Sequence, residues 1–510
     1  MKKNKNPIII GTAILTATGL ISRIIGFFYR IFLSNTIGEE GMGIYQLIFP
    51  VSSICFAICA ASIQTAISRF VAAEYSSDRH YRQRNVLKAG LLLTMVLSFA
   101  TTTLVYSFAK PIATYLLLEP RCEGLLRILA LSVPFVSIHS CFCGYYYGLK
   151  KANIPAFSQM VEQIIRVISV WIIWKICLEK GVNLTAAGAV AGSLISDIAA
   201  VIYLLLAFFW TEATPINEKK EASTRYFFPM IKQISLMAAP LTANRLVLNI
   251  LQSAEAVLIP SRLKMYGMTS EQALSVYGVL TGMAMPFIFF PSALSNSVSV
   301  MLLPAIAEAQ SQGSDRQIQK ATGTNIRFCL WLGILFTAVF LLFGSQMGIY
   351  IFDSKLAGKF ITILAWLCPF MYLTTTMGSI LNGLGKTSTI FTHNMISLSI
   401  RLSIVVFLIP KYGILAYLWG MLLSQLILAL LHLIAIRKSV SFPFSAFSSI
   451  LHPIILASIS GIAAKWLGKI LMERFLVTPL ISLAIAVMIM LFLFFTMALL
   501  TIKRTEGTIR

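Results

Sequence analysis

The chain has 510 residues, of which 57% are hydrophobic and 12% are charged, and its net charge is +22. Its mean hydropathy is +0.82. A soluble chain of this length would place apolar residues at helical or strand period, whereas here they form runs of about 20 or more between short polar joints. The composition predicts an all-α polytopic membrane protein. It excludes an outer-membrane barrel, whose strands are short segments of alternating polarity.

Fourteen apolar segments follow one another along the chain, and we expect each to be a transmembrane helix. They cover residues 8–33, 44–66, 86–109, 124–148, 156–178, 186–210, 229–258, 273–303, 325–343, 360–383, 389–409, 414–436, 447–471 and 476–501. Lysine and arginine are more frequent in the joints on the side of the N-terminus, so the positive-inside rule predicts cytoplasmic N- and C-termini in the cell membrane. These charges set the topology and contact anionic lipid headgroups, and we expect no nucleic-acid partner.

Arginines inside the predicted spans are the candidate functional residues. They are Arg23, Arg30, Arg127, Arg166, Arg245 and Arg401. A charge at the bilayer centre costs at least ~2.5 to 3.5 kcal/mol, so such a residue usually faces a polar cavity, a partner or a substrate. Arg30 and Arg127 lie near span ends, where snorkelling to the interface is the alternative. Because the guanidinium fork matches phosphate oxygens, the set favours an anionic phosphate headgroup as ligand.

An internal repeat relates the two halves of the chain, at spacings between 222 and 235 residues. The recurring pairs include Pro7 and Pro229, Arg23 and Arg245, Gly148 and Gly383, Lys151 and Lys386, Arg166 and Arg401, Gly181 and Gly413, and Gly188 and Gly420. Repeated halves with a site at their interface are typical of alternating-access transporters. We therefore expect two pseudo-symmetric six-helix lobes over 1–210 and 229–440, a cytoplasmic linker over 211–228, and two extra helices with a cytoplasmic tail over 441–510.

Three acids also lie within the predicted spans. Glu162 precedes Arg166 by four residues, a spacing that predicts an ion pair along one helix face. Glu255 follows Arg245 by ten residues, where it either coordinates a cation or balances the site, and Asp197 lies in the next span after Glu162. The loops contain no Ser/His/Asp, paired-carboxylate or metalloprotease constellation, so we expect no enzyme, cofactor or metal centre. The coupling cation stays open.

Short motifs then identify a family. The opening stretch Ser22-Arg23-Ile24-Ile25-Gly26-Phe27-Phe28-Tyr29-Arg30 is followed by Gly38-Glu39-Glu40-Gly41-Met42-Gly43-Ile44-Tyr45-Gln46, and Arg69-Phe70-Val71-Ala72-Ala73-Glu74 and Asn382-Gly383-Leu384-Gly385-Lys386 come after later spans. Together with the repeat, these resemble the stage V sporulation protein B group of the multidrug/oligosaccharidyl-lipid/polysaccharide exporter superfamily. The resemblance implies a flippase for undecaprenyl-pyrophosphate-linked saccharides in spore or cell envelope synthesis, with lipid II-type peptidoglycan precursors the leading candidate.

The resemblance also suggests roles for individual residues. Arg23 matches the arginine of the Ser-Arg motif in lipid II flippases, so we expect Arg23 and Arg245 to bind the pyrophosphate, with Arg30 assisting. The residues expected to support the cavity are Glu162, Arg166, Arg401 and Glu255. The last two spans would provide a groove for the prenyl tail, and the partners would be bilayer lipids and cell-wall synthesis enzymes. The alternative is a cation-coupled multidrug exporter of the same fold, whose site should contain more acids to meet cationic drugs.

Overall fold

The computed structural model of the chain describes residues 7–76, 80–211, 222–475 and 478–507. Every regular element in these ranges is helical, which confirms the all-α prediction. The chain divides into two compact units, Met1–Ser261 and Arg262–Arg510. The predicted linker over 211–228 falls largely outside the described residues, and the lobe boundaries stay a prediction.

The described residues of the first unit form nine α-helices in chain order. They are α1 (Pro7–Leu47), α2 (Phe49–Phe56), α3 (Ser62–Ser76), α4 (His80–Ser107), α5 (Ala109–Pro111), α6 (Cys122–Gly148), α7 (Asn153–Glu179), α8 (Ala186–Thr211) and α9 (Ala222–Met265). One π-helical turn, Ala57–Ala61, interrupts the second predicted span, and another, Ile112–Leu116, follows the third. The apolar core of this unit lies mainly between α3, α4 and α6.

The second unit contains the remaining helices. They are α10 (Ser270–Gly278), α11 (Met285–Phe289), α12 (Ser292–Ser311), α13 (Asp315–Phe352), α14 (Lys355–Leu364), α15 (Cys368–Gly383), α16 (Thr387–Phe407), α17 (Ile409–Tyr412), α18 (Ile414–Arg437), α19 (His452–Phe475) and α20 (Pro479–Gly507). π-Helical turns at Val279–Ala284 and Phe447–Leu451 and a 3₁₀ turn at Ala365–Leu367 lie between them. The core of this unit lies mainly between α12, α13, α15 and α18.

Thirteen segments of the described residues are long and apolar enough to cross a membrane. The first, Ala17–Tyr75, has 59 residues and covers two predicted spans, whereas the predicted span over 273–303 is divided in two near Pro291. Helix α7 is not among the thirteen, and it carries the charged residues Glu162 and Arg166 within its length. The chain is a multi-pass membrane protein, as predicted, while the count of fourteen spans stays a prediction.

Corresponding glycines allow close helix packing in each unit. A Cβ atom added to Gly148 at the end of α6 would lie 2.7 Å from Val71 Cβ on α3. A Cβ atom added to Gly383 at the end of α15 would lie 2.9 Å from Ile306 Cβ on α12. The contacted residues are separated by the same interval as the glycines. The repeat seen in the sequence therefore recurs as a repeated helix contact, which only a residue without a side chain permits at this distance.

The same two helices also end in the same way. Lys150 (φ 58°) and Gly385 (φ 74°) both adopt the left-handed conformation just beyond α6 and α15. The next amide then donates back five residues, from Lys151 N to Tyr146 O at 3.0 Å and from Lys386 N to Leu381 O at 2.8 Å. This bond satisfies a carbonyl left open at the helix end. The two predicted cytoplasmic loops, after α6 and after α15, thus begin with the same turn geometry, which supports the repeat.

One end of the first unit is held by an ion-pair cluster outside the spans. Arg121, just before α6, contacts Glu119 (Nε to Oε1, 2.7 Å) and Glu40 near the end of α1 (Nη1 to Oε1, 2.6 Å). These carboxylates, Glu119 most strongly, raise the pKa of Arg121. Glu40 follows Gly38, whose φ of 73° breaks the helical path within α1. The cluster therefore fixes the direction of α1 after that break.

Candidate substrate-binding site

A cavity of about 360 Å³ lies inside the first unit and brings several predicted site residues together. Its polar lining includes Arg30 from α1, Glu162 and Arg166 from α7, and Asp197 from α8. Tyr45 and His139 line it as well. Four ionisable groups of both signs therefore line one cavity within a membrane-spanning unit, the placement that usually marks a functional site.

Arg166 is neutralised by two acids on two helices. Its Nη2 forms an ion pair with Glu162 Oε1 one turn earlier on α7, which confirms the predicted pair, and lies 3.9 Å from Asp197 Oδ1 on α8. The side chains are largely buried, with 21% of Arg166, 21% of Glu162 and 12% of Asp197 exposed. Arg166 Nε is buried without a hydrogen-bond partner. The triad ties α7 to α8 and leaves one N–H donor available.

Asp197 has no partner that a local sequence rule can assign. The i,i+4 rule links Glu162 to Arg166 because both lie on one helix, whereas no local spacing relates α7 to α8. An isolated acid in an otherwise apolar span is nevertheless a signal, since a buried carboxylate needs a cation nearby. Asp197 lies in the span that follows Arg166, and its carboxylate is the second acidic partner of Arg166.

Arg30 lines the same cavity without an acid of its own. The side chain is half-buried, and within the described ranges its guanidinium makes no ion pair or hydrogen bond. Both cavity acids lie in ion-pair contact with Arg166 instead. The charge of Arg30 is thus available to an anionic group that enters the cavity, whereas the charge of Arg166 is already balanced by Glu162 and Asp197.

Arg23 lies seven residues before Arg30 on α1, so the two share a helix face about 10 Å apart along the axis. The cavity is not lined by Arg23, which is exposed. Among the described residues Arg23 makes no ion pair, neither with Glu255 nor with another acid. Glu255 itself is buried on α9, with 5% of its surface exposed. Arg23 is therefore not a counterion of Glu255 in this geometry.

Arg245 on α9 contacts the second predicted span. Its Nη2 donates to Thr65 Oγ1 at 3.4 Å. One turn later Asn249 Nδ2 donates to Ser53 O at 3.2 Å, and Ser253 Oγ donates to Pro50 O at 3.4 Å. This row of polar contacts orients one face of α9 against residues 50–65. Arg245 is half-buried, and no described carboxylate lies within ion-pair distance of it.

The remaining span arginines have other surroundings. Arg127 Nη2 pairs with Glu123 Oε1 at 2.7 Å, and half of its side chain is exposed. Its guanidinium lies 5.7 Å from the centre of the Tyr106 ring. Arg401 is half-buried on α16 in the second unit. Arg127 therefore has the exposed, paired character expected of a residue near a span end, whereas Arg23, Arg30 and Arg245 do not have acidic partners among the described residues.

Comparison with known proteins gives the family. The family described as polysaccharide biosynthesis protein matches residues 8–310, and the MatE family matches residues 261–407. Stage V sporulation protein B of Bacillus subtilis (strain 168) is 27% identical over 436 residues, which cover 85% of this chain and 84% of that protein. Lipid II flippase MurJ of the same organism is 23% identical over 481 residues, covering 89% and 87%.

Solved structures show the same fold. Lipid II flippase MurJ in an inward closed conformation has a TM-score of 0.69 at 15% identity, covering 97% of this chain and 99% of that one. A multidrug resistance MATE family transporter of the MOP superfamily in an inward-facing conformation has a TM-score of 0.63 at 14% identity, covering 82% and 96%. These relatives are transporters and flippases rather than enzymes, as predicted. The chain belongs to the polysaccharide biosynthesis protein family, as a multi-pass helical membrane protein of the flippase and transporter type.

Proposed function

We propose that this protein is a flippase that moves an undecaprenyl-pyrophosphate-linked saccharide across the cell membrane by alternating access. One observation carries the proposal: Arg23, Arg30 and Arg245 have no carboxylate within ion-pair distance in the described part of the chain. An uncompensated cation in a membrane span is costly. An anionic ligand that forms charge-assisted hydrogen bonds to the guanidinium groups would offset that cost.

A pyrophosphate suits these residues better than a cationic drug does. Each guanidinium offers a planar pair of N–H donors that match two phosphate oxygens. Arg23 and Arg245 would bind the pyrophosphate, and Arg30 would assist from the cavity in the first unit. Arg166 has a supporting role, because Glu162 and Asp197 already neutralise it. Arg401 joins this supporting set through its repeat relation to Arg166, and Glu255 through its position ten residues after Arg245 on α9.

The second unit has a place for a hydrocarbon chain. A groove of about 680 Å³ lies between α13, α19 and α20 and is almost entirely apolar. Phe328, Trp331 and Phe494 line it, and Arg327 lies among its few polar residues. The one polar atom of the Trp331 ring is satisfied, since Nε1 donates to Ser448 O at 3.0 Å. Such a surface would hold the undecaprenyl tail while the charged headgroup is bound elsewhere.

The relatives support the same substrate class. One is a sporulation protein and another is a lipid II flippase. We therefore propose a lipid II-type peptidoglycan precursor as the leading substrate, with a polysaccharide lipid as the alternative within the class. The process would be spore or cell envelope synthesis, and cell-wall synthesis enzymes would be the partners that supply and use the lipid.

Translocation of a defined lipid-linked saccharide in proteoliposomes tests the proposal. We expect the wild-type protein to expose the headgroup to an added membrane-impermeant enzyme, and Arg23→Ala and Arg245→Ala to abolish this. Arg23→Lys should restore only part of the rate, because lysine keeps the charge but loses the bidentate fork. Arg127→Ala is the matched control and should keep the wild-type rate, since Arg127 is exposed and paired with Glu123.

Two results would contradict the assignment. Normal translocation by Arg23→Ala at wild-type expression would show that Arg23 does not bind the headgroup. Recovery of translocation by Arg23→Gln combined with Glu255→Gln would show that Arg23 serves only to neutralise Glu255. A double variant that folds but does not translocate agrees with the pyrophosphate role.

A further inference from the structure

The cavity in the first unit is larger than a contact between Arg30 and a phosphate group requires. Its volume of about 360 Å³ lies within the range of about 300 to 1,000 Å³ that small-molecule sites occupy. Helices α1, α2, α6, α7 and α8 all contribute to its lining. Arg30 and the charges around Arg166 make up only part of that lining, so the remaining residues are free to contact a further part of a ligand.

Tyr29 lines this cavity with a buried hydroxyl group that has no partner. The side chain is on α1 next to Arg30, and 6% of the residue is exposed. The hydroxyl of Tyr45 is a near neighbour, yet Tyr29 Oη makes no hydrogen bond of normal geometry to any described residue. Arg166 Nε is a second buried donor without a partner. Because buried polar groups in native structures are normally satisfied, these atoms indicate a ligand that hydrogen-bonds inside the cavity.

The rest of the lining combines uncharged polar groups with aromatic rings. Ser52, Ser132 and Gln163 come from three different helices. The rings of Tyr45 and Phe49 meet edge to face, with centres 5.3 Å apart. Hydroxyl and amide groups both donate and accept hydrogen bonds, as the hydroxyls of a sugar do. Aromatic rings provide apolar surface for the C–H groups of a sugar ring. The lining therefore fits a sugar.

The charges of the cavity favour a sugar without a carboxylate. Under the proposed function Arg30 contacts the pyrophosphate. The charges that remain are Arg166 and its two acids, Glu162 and Asp197, whose sum is one negative charge. A carboxylate in the same cavity would be repelled by this excess, and repulsion is stronger inside a protein than in water. An uncharged sugar avoids that cost.

We propose that this cavity binds the uncharged sugar that is joined directly to the pyrophosphate, with Tyr29 Oη and Gln163 as its hydrogen-bond partners. The inference rests on the proposed function, since Arg23 and Arg30 on one face of α1 would place the pyrophosphate beside the cavity. The covalent link to a bound pyrophosphate raises the effective concentration of the sugar there. The volume is near the lower limit for a ligand site, so further sugars of the saccharide would stay outside.

Binding of defined lipids to the full-length protein in nanodiscs tests the subsite without transport. One lipid is undecaprenyl-pyrophosphoryl-N-acetylglucosamine. Its control is the methyl ester of undecaprenyl pyrophosphate, which has the same pyrophosphate charge and no sugar. We expect the sugar lipid to bind the wild-type protein more tightly. Tyr29→Phe removes only the hydroxyl, and it should weaken binding of the sugar lipid by roughly two- to tenfold while binding of the methyl ester is unchanged. Gln163→Leu should have the same selective effect.

Thermal unfolding of the lipid-free protein separates this role from a structural one. Loss of a hydroxyl that is hydrogen-bonded within the fold lowers stability, whereas loss of an unpartnered one does not. We therefore expect Tyr29→Phe to have a melting temperature equal to or above that of the wild type. Tyr115→Phe is the matched control in the same unit, because Tyr115 is 81% exposed and lies outside the cavity. It should change neither lipid affinity.

The results distinguish the subsite from the proposed function. Equal wild-type affinity for the two lipids, or an equal loss for both in Tyr29→Phe, would overturn the subsite and leave the pyrophosphate site intact. Tighter binding of a lipid with glucuronic acid in place of N-acetylglucosamine would overturn the preference for an uncharged sugar. Competition by an equal concentration of free N-acetylglucosamine would overturn the link to the lipid. A wild-type protein that binds neither lipid would refute the proposed function and the subsite together.

Discussion

Replacing Arg166 by glutamine should destabilise the first unit far more than replacing either acid beside it. Arg166→Gln leaves Glu162 and Asp197 buried and close together, with no cation between them. Glu162→Gln leaves an Arg166–Asp197 pair, and Asp197→Asn leaves the Arg166–Glu162 pair, so each single acid variant keeps a balanced site. The triple variant combines Glu162→Gln, Arg166→Gln and Asp197→Asn, which removes all three charges and keeps similar shapes.

The structure sets the expected magnitudes. At the 3.9 Å separation of Arg166 and Asp197, two unit charges interact by about 4 kcal/mol at an effective dielectric constant near 20. Leaving a buried partner uncompensated costs ~3 to 5 kcal/mol, whereas neutralising a whole buried cluster is often close to neutral. For a unit of this size 1 kcal/mol corresponds to ~2 to 4 °C, so Arg166→Gln should lower the melting temperature by about 6 to 20 °C.

Thermal unfolding of the purified protein in one detergent provides the measurement. We expect the order Arg166→Gln, then the two acid variants, then the triple variant, from least to most stable. Arg127→Gln serves as the control and should change stability by less than about 1 kcal/mol, because its pair with Glu123 is half exposed. A triple variant as unstable as Arg166→Gln, or equal losses for Arg166→Gln and Glu162→Gln, would refute the three-charge account.

The remaining predictions concern topology and packing. In a cysteine-free background, Lys355→Cys should react with an impermeant reagent from outside the cell and Lys386→Cys only after permeabilisation; the reverse would reject the span assignment. Gly148→Leu and Gly383→Leu should each reduce stability by ~1 to 3 kcal/mol through overpacking of the equivalent helix contacts, and a neutral result at either glycine would contradict the close contact. Arg121→Gln should lower stability by at most about 1 kcal/mol, because half of its side chain is exposed, and a larger loss would mean that the cluster does more than orient α1.

Several features of this protein follow from local sequence alone. Long apolar runs predict helices because the bilayer requires each backbone amide to bond within its own segment. The intervals between Gly148 and Gly383 and between Lys151 and Lys386 predict a repeat, and the corresponding turns and contacts agree with it. The pair of Glu162 and Arg166 is also local, since four residues bring side chains together on any helix.

The tertiary structure decided which charges meet across helices. Asp197 reaches Arg166 only because α8 lies beside α7 with one particular rotation about its axis, and no spacing within either helix encodes that rotation. The same holds for Arg245 against Thr65, which are 180 positions apart in the chain. The sequence does not show which span arginines lack an acidic partner, because an ion pair depends on distance in space. The helix packing separates Arg166, which two acids neutralise, from Arg23, Arg30 and Arg245, which have no carboxylate within ion-pair distance in the described residues.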